Sequence, residues 1–522
     1  MIDSASDANS FVLLASITAY DITIPADEPI KRMLENHIEL YTSAQARTLD
    51  LRAMEIDDLG EGMLMERAGE AAYRHLRFLW PRARRITLVC GPGNNGGDGY
   101  VLARKLIENG FTPTLYSVGK LEKQTGDALR ARISFEEAGG KILNYKGGAL
   151  IAGEVIVDAL LGTGSERNLR GEFAEVVEAI NNKRVPVLAL DQPSGIDADN
   201  GKILGTAVKA TATLTFIGIK RGLLTASAVD QVGQLFFNGL DVSDKARKQV
   251  PVEAWLSTGE HLAPHRKRDT HKGQQGRLLI VGGASGMTGA PWLAGMAALR
   301  CGAGLVRIAS LGEPGCTYPE LMVTQVQSGK DLARLQELSD GVVIGPGLGR
   351  DEIAQQLLGK VLESRNKLRS LVVDADALAC LGGESIDLAG AILTPHPGEA
   401  ATLLSCPSDQ IQADRFAAAS DIATKFNCIC VLKGAGTIIS DGKRFLVSDR
   451  GGPELASAGT GDVLSGIIAA LLIQGMSAWD AANLGVFLHG TAGIQVANKF
   501  GNGLIATDLC EQVSVVLRQL DS

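Results

Sequence analysis

The chain has 522 residues, 45% of them hydrophobic and 21% charged, an ordinary globular balance spread over too many residues for one core. Its formal net charge is -8 without a long basic run, and aromatics make up 5%, so nucleic acid and anionic membrane are poor partners. No apolar run reaches the length of a membrane span.

Residues 1–40 do not share the pattern that follows. They read as an N-terminal extension, disordered or added ahead of a start at Met33. The residues before Phe11 are acidic rather than basic, which argues against a secretory signal. From Tyr41 the chain becomes regular. A capped helix start is predicted over 42–50, and a second helix over 62–79, stopped by Pro81. Residues 85–90 form a buried apolar strand. It feeds a loop, Gly91-Pro-Gly-Asn-Asn-Gly-Gly-Asp-Gly99, before a helix at 100–108 and a strand at 113–118. That is the start of a parallel α/β unit.

Two further strand ends carry polar groups. The stretch 155–164 places Asp158 in a buried strand and ends in Gly162-Thr-Gly164. The stretch 185–197 ends a strand at Asp191, followed by Gln192-Pro-Ser194. In open α/β sheets ligands sit beyond the carboxyl ends of the strands, so the three loops could share one crevice. Asn95 and Asp158 together would suit a monovalent cation or ribose hydroxyls. Asp191 reads either as a general base or as the cap of an Asx-turn at Pro193. Asp98 reads as a turn cap, with Asn94, Asn95, Gly96 and Gly97 beside it.

Residues 241–270 are charged, contain prolines and lose periodicity, which places a junction near 250. A second α/β series follows, with strands at 277–281, 341–344, 370–373 and 391–393. Cys428 and Cys430 lie on an apolar run, as in a buried strand rather than a metal site. With no C-x-x-C among eight cysteines, reduced thiols and a cytoplasmic protein are expected. The strand at 428–432 leads into Lys433-Gly-Ala-Gly-Thr437.

The last motif, Ala458-Gly-Thr-Gly-Asp462, precedes an apolar run, 463–472, that fits a buried helix. Free backbone N–H groups and the positive dipole end would face an anion there. Asp462 is placed as a base beside that anion, the alternative being a simple helix cap.

The stretches 91–99, 158–164 and 191–197 resemble the NAD(P)H-hydrate epimerase family over roughly 41–240. The resemblance implies a Rossmann-like three-layer domain. It implies substrate contacts at Asn94, Asn95, Gly96, Gly97, Asp98, Gly162, Thr163, Gly164 and Asp191, and a potassium ion at Asn95, Asp158 and Ser194. Gln192 stands where the family commonly has an apolar residue. The second half is similar to the ADP- or ATP-dependent NAD(P)H-hydrate dehydratase family, a branch of the ribokinase-like fold. Six stretches carry that likeness in order: Lys272-Gly273, 286–291, Gly345-Pro-Gly-Leu-Gly349, Thr394-Pro-His-Pro-Gly-Glu399, 433–437 and 458–462. By this resemblance Lys433, Gly434, Ala435, Gly436, Thr437 and Gly461 line the nucleotide, while Ala290, Gly347, His396 and Asp462 face the hydrated dinucleotide.

The resulting expectation is an α/β chain with an extension at 1–40, an epimerase domain at 41–245 and a dehydratase domain at 255–520. It would repair hydrated NADH and NADPH, with ADP or ATP and magnesium as phosphate donor, as a cytoplasmic homo-oligomer. The rival is a ribokinase-like kinase of vitamin precursors carrying an N-terminal ligand-binding module. Thr394–Glu399 and the attached first half are not accounted for by that rival.

Overall fold

The computed structural model describes residues 38–164, 167–262, 269–313, 318–383 and 385–520. The expectation for 1–40 therefore lies outside the described residues, save for its last three. Two compact units are present, residues 38–255 and 256–520 of the described chain.

In the first unit, seven parallel strands are labelled in chain order: β1 Ile86–Cys90, β2 Thr114–Ser117, β3 Ile142–Asn144, β4 Val155–Ala159, β5 Val187–Leu190, β6 Ala212–Phe216 and β7 Gln234–Asn238. Their order across the sheet is β3-β2-β1-β4-β5-β6-β7. The strand order reverses between β1 and β4, where a doubly wound sheet opens a crevice at its carboxyl edge. Alternation along the strands builds two cores. Ile86, Leu88 and Cys90 of β1, with Val155 and Val157 of β4, join Val101, Leu102 and Phe135 on one face. Val89 and Ile156 point the other way, to Val176, Val177 and Ile180 of helix Glu172–Asn181. Helices thus cover both faces, the three-layer arrangement expected.

Three boundaries differ from the sequence reading. The helix predicted from residue 100 starts at Asn94, so the motif expected to be a loop supplies its first turns. The physical reason is close packing: a Cβ on Gly96 would lie 2.0 Å from the Gly91 carbonyl oxygen, so only glycine lets this helix press onto the end of β1. Residues 244–255 are not a linker. Ala246 and Val250 are core residues of the first unit, and Arg247 donates to the Ile217 carbonyl at 2.6 Å. The first unit also begins before Tyr41, since Glu39–Tyr41 pairs with Ile219–Lys220 and fully buries Leu40.

The second unit holds β8 Arg277–Gly282, β9 Leu305–Ser310, β10 Leu321–Gln325, β11 Gly341–Ile344, β12 Ser370–Val373, β13 Ile392–Leu393, β14 Ile429–Leu432, β15 Ile438–Ser440 and β16 Phe445–Val447. They run β10-β9-β8-β11-β12-β13-β14-β15-β16. The sheet is parallel as far as β14 and ends in two antiparallel strands. Helix Thr460–Ile473 is buried along almost its whole length. Its interior position explains why the run reads as apolar on all sides. Among the described residues no helix is long and apolar enough to cross a membrane.

Candidate active sites

Beyond β1, β4 and β5 lies a cleft of about 830 Å³. Asn94, Asn95 and Asp98 line it from the helix after β1, Gly162, Thr163 and Gly164 from the loop after β4, and Asp191 from the end of β5. Gly96 and Gly97 do not reach the cleft wall; Gly97 is packed on Met65.

Asp158 is fully buried at the end of β4. It accepts hydrogen bonds from Ser194 N at 2.8 Å, Ser194 Oγ at 2.7 Å and Leu160 N at 3.1 Å. Burial nevertheless pushes its carboxyl up to about 6, against the pull of those donors. Asn95 is buried, and neither atom of its amide finds a partner among the described residues. An unpaired buried amide oxygen on the helix after β1 and a buried carboxylate without a countercharge at the end of the adjacent strand β4 are donor types that suit a monovalent cation. Among the described residues there is no cluster of three His, Cys, Asp or Glu for a transition metal.

Asp191 has a left-handed backbone, φ 62°. Its carboxylate makes a short ion pair with Lys220 rather than an Asx-turn at Pro193; Ser194 N, which follows Pro193, donates to Asp158 instead. The other oxygen of Asp191 faces Gly162, 3.3 Å from where a Cβ would stand. Lys220 is 3% exposed and also donates to Thr215 Oγ1 and the Phe216 carbonyl, each at 3.0 Å. Asp50 completes the group from helix Ser43–Ile56. Burial pushes its carboxyl up to about 7, Lys220 pulls it back and Asp191 adds to the rise. Asp98 is held well above the usual carboxylate range by burial, then by Asp191 and Asp50.

In the second unit Gly459 caps helix Thr460–Ile473 with φ 87°, and a Cβ there would lie 2.4 Å from Leu293 Cδ1. Asp462 sits in the first turn. Burial, then Asp374, pushes it up to about 7 while Lys433 opposes them. Lys433 Nζ lies 2.8 Å from Asp374 Oδ1 and 3.8 Å from Glu399 Oε2. It is 3.3 Å from the position a Cβ on Gly461 would take, so the nucleotide motif and the helix start meet at this ammonium. Asp374 is 1% exposed and accepts a short hydrogen bond from Ser465 Oγ. Arg415, also buried, reaches under the 433–437 loop and donates to the carbonyls of Leu432, Lys433 and Gly436 at 3.2, 3.3 and 3.4 Å. Above that support Gly434 and Ala435 are exposed.

His396 caps helix Pro397–Leu404: its Nδ1 accepts from Gly398 N at 2.9 Å, while Glu399 accepts from His396 N at 2.7 Å. Glu399 thereby links His396 to Lys433. Ala290 and Gly347 adjoin one another, 3.3 Å between the Ala290 Cβ and a Cβ built on Gly347. Ala290 begins the helix whose Leu293 touches Gly459.

The family model described as YjeF-related protein N-terminus matches residues 61–222, and the one described as NAD(P)H-hydrate dehydratase matches 278–514. A bifunctional NAD(P)H-hydrate repair enzyme of Coxiella burnetii is 43% identical over 92% of this chain and 99% of its own length. The chain belongs to the bifunctional NAD(P)H-hydrate repair enzyme family. The relative of the same name from Escherichia coli K12 is 40% identical over 85% of this chain and 87% of its own. A solved ADP/ATP-dependent NAD(P)H-hydrate dehydratase from Bacillus subtilis, co-crystallized with ATP/Mg2+, covers 51% of this chain and 98% of its own at 29% identity, with a TM-score of 0.46.

Sequence reasoning missed Asp50, Lys220, Asp374 and Arg415. Lys220 carried one signal, a lone charge closing the apolar run 214–219. Asp374 carried another, an acid directly after the four apolar-packed residues of β12.

Proposed function

We propose that the first unit interconverts the R and S hydrates of NADH and NADPH and that the second dehydrates the S form with ADP or ATP, with magnesium, as phosphate donor. The observation that carries the reading is Asp462. A carboxylate in the first turn of a buried helix, beside the Lys433–Asp374–Glu399 cluster and titrating near 7, is set to take a hydroxyl proton at neutral pH.

Water leaves poorly from a saturated ring carbon. Asp462 removes the proton of the ring hydroxyl as that oxygen attacks the terminal phosphorus of the nucleotide. The helix N-terminus and Lys433 offset the negative charge of the transferring group. Phosphate then leaves with the C–O electron pair, a ring proton departs and the dihydropyridine is restored. The loop Lys433, Gly434, Ala435, Gly436 and Thr437, with Gly461, takes the nucleotide; Ala290, Gly347 and His396 take the dinucleotide.

In the first unit Asn94, Asn95, Asp98, Gly162, Thr163 and Gly164 hold the hydrated ring, with Gly96 and Gly97 shaping the wall behind them. Asp191 is the base. Asn95, Asp158 and Ser194 would hold potassium, which supplies the positive charge that Asp158 lacks. The free cysteines among the described residues suit the cytoplasm. The test is incubation with chemically made NADH hydrate and ADP or ATP, following recovery of NADH absorbance. Recovery supports the reading, whereas a stable phosphorylated product without NADH would make the second unit a kinase.

A further inference from the structure

Helix Ser43–Ile56 lies outside the family match at 61–222. It is nonetheless fixed in place with care. Thr42 and Gln45 form a capping box at its start, and Asp199 accepts from Ser43 N at 2.5 Å and Ser43 Oγ at 2.9 Å. Ala46, Leu49 and Ala53 bury one face in the core. That anchoring delivers Asp50 to the cleft that also holds Asp191 and Lys220.

The three groups are not equivalent. Lys220 has three N–H donors, and these are engaged by Asp191, Thr215 and Phe216, so it fixes Asp191. Asp191 carries the ion pair and leaves one oxygen toward Gly162. Asp50 makes no hydrogen bond among the described residues, lines the same cleft and feels both charges.

We propose that Asp50 is the general acid of epimerisation, working with the base Asp191 on one hydrated ring. The proposal rests on the epimerase reading of this unit. R and S hydrates differ at the ring carbon that bears the hydroxyl, next to the ring nitrogen. Asp191 takes the hydroxyl proton, and the oxygen forms a carbonyl as the bond from that carbon to the ring nitrogen breaks. The electron pair of the broken bond goes to the nitrogen, which takes the proton of Asp50. Rotation about the adjacent carbon–carbon bond presents the other carbonyl face. The nitrogen then re-adds to it, returns its proton to Asp50, and the oxygen recovers the proton from Asp191. All atoms and electrons are conserved and no co-reactant is needed. Since burial brings Asp50 to about 7, it can give and retake a proton near neutrality.

The experiment uses the full chain, a mixture of R and S hydrates, and excess phosphate donor, comparing Asp50→Asn, Asp50→Glu and wild type. Asp50→Asn keeps the shape of the neutral acid, and thermal unfolding checks that it folds. The expected result is a loss of epimerisation kcat of about 100- to 10,000-fold, with KM held within about twofold. Partial recovery in Asp50→Glu and unchanged dehydration of pure S hydrate complete the expected pattern. Epimerisation at the wild-type rate in Asp50→Asn would overturn the proposal, as would a loss that lies in KM alone or that Asp50→Glu shares in full. Wild type failing to epimerise would instead refute the epimerase reading itself.

Discussion

Replacing Asp462 by Asn should remove activity and add stability, and the two effects share one cause. Burial raises this carboxyl from 3.8 to about 7. The folded state therefore binds the proton more tightly than the unfolded chain does, and stability falls as pH rises from about 4 to about 7 and stays low above. At about 1.4 kcal/mol per pH unit the cost of ionising Asp462 in the fold is on the order of 2–4 kcal/mol at pH 8. The favourable effect of an anion at a helix N-terminus is about 0.3–1 kcal/mol, so burial wins. Asp462→Asn should raise the unfolding midpoint of the second unit by roughly 4–10 °C at pH 8 and by nothing near pH 4. Nucleotide-dependent NADH recovery should fall about 100- to 10,000-fold, and the wild-type rate should drop about tenfold from pH 7 to pH 6 less the half already protonated, or roughly fivefold. Calorimetry at pH 4 and 8 with single-turnover NADH recovery checks both sides. A lower midpoint at pH 8 would show that burial does not strain Asp462, and recovery near the wild-type rate would show that it is not the base.

Asp191→Asn should halt a mixed-hydrate reaction once the S form is spent, apart from slow spontaneous interconversion; complete conversion at the wild-type rate is the refuting result. Exchange of potassium for tetramethylammonium, and separately Asp158→Asn, should each slow epimerisation and leave dehydration of pure S hydrate at the wild-type rate, read by NADH absorbance. Gly459→Ala forces a Cβ at φ 87° to within 2.4 Å of Leu293 Cδ1, and should cost the second unit about 1–3 kcal/mol in denaturant unfolding. Fragments 38–255 and 256–522 should each fold and carry one activity, whereas a first fragment ending at 245 should unfold at lower temperature, because it loses Val250 from the core.

Local chemistry made much of this legible. β1, β4 and β5 announced themselves as apolar runs with Gly, Asp or Pro at their carboxyl ends, and those ends are where the cleft lies. Gly459 and Asp462 could be placed at a helix start because a long apolar run followed them. What stayed hidden depends on tertiary partners. The helix start at Asn94 rests on the approach of Gly96 to Gly91, which no periodicity encodes. Ala246 and Val250 belong to the core although their surroundings read as a polar linker. Asp50, Lys220 and Arg415 each gain meaning from a residue at least 17 positions away, as Arg415 does from Leu432.

The guanidinium of Arg415 beneath the 433–437 loop has a consequence for timing. Lifting that loop would strand a buried cation and break its bonds to three carbonyls, an opening far costlier than the fraying of an ordinary surface turn. Movement of the loop backbone at Leu432, Lys433 and Gly436 is thereby coupled to helix Arg415–Phe426, which carries the guanidinium. If this loop takes the nucleotide as proposed above, the ligand meets a seat that is supported from beneath before it arrives.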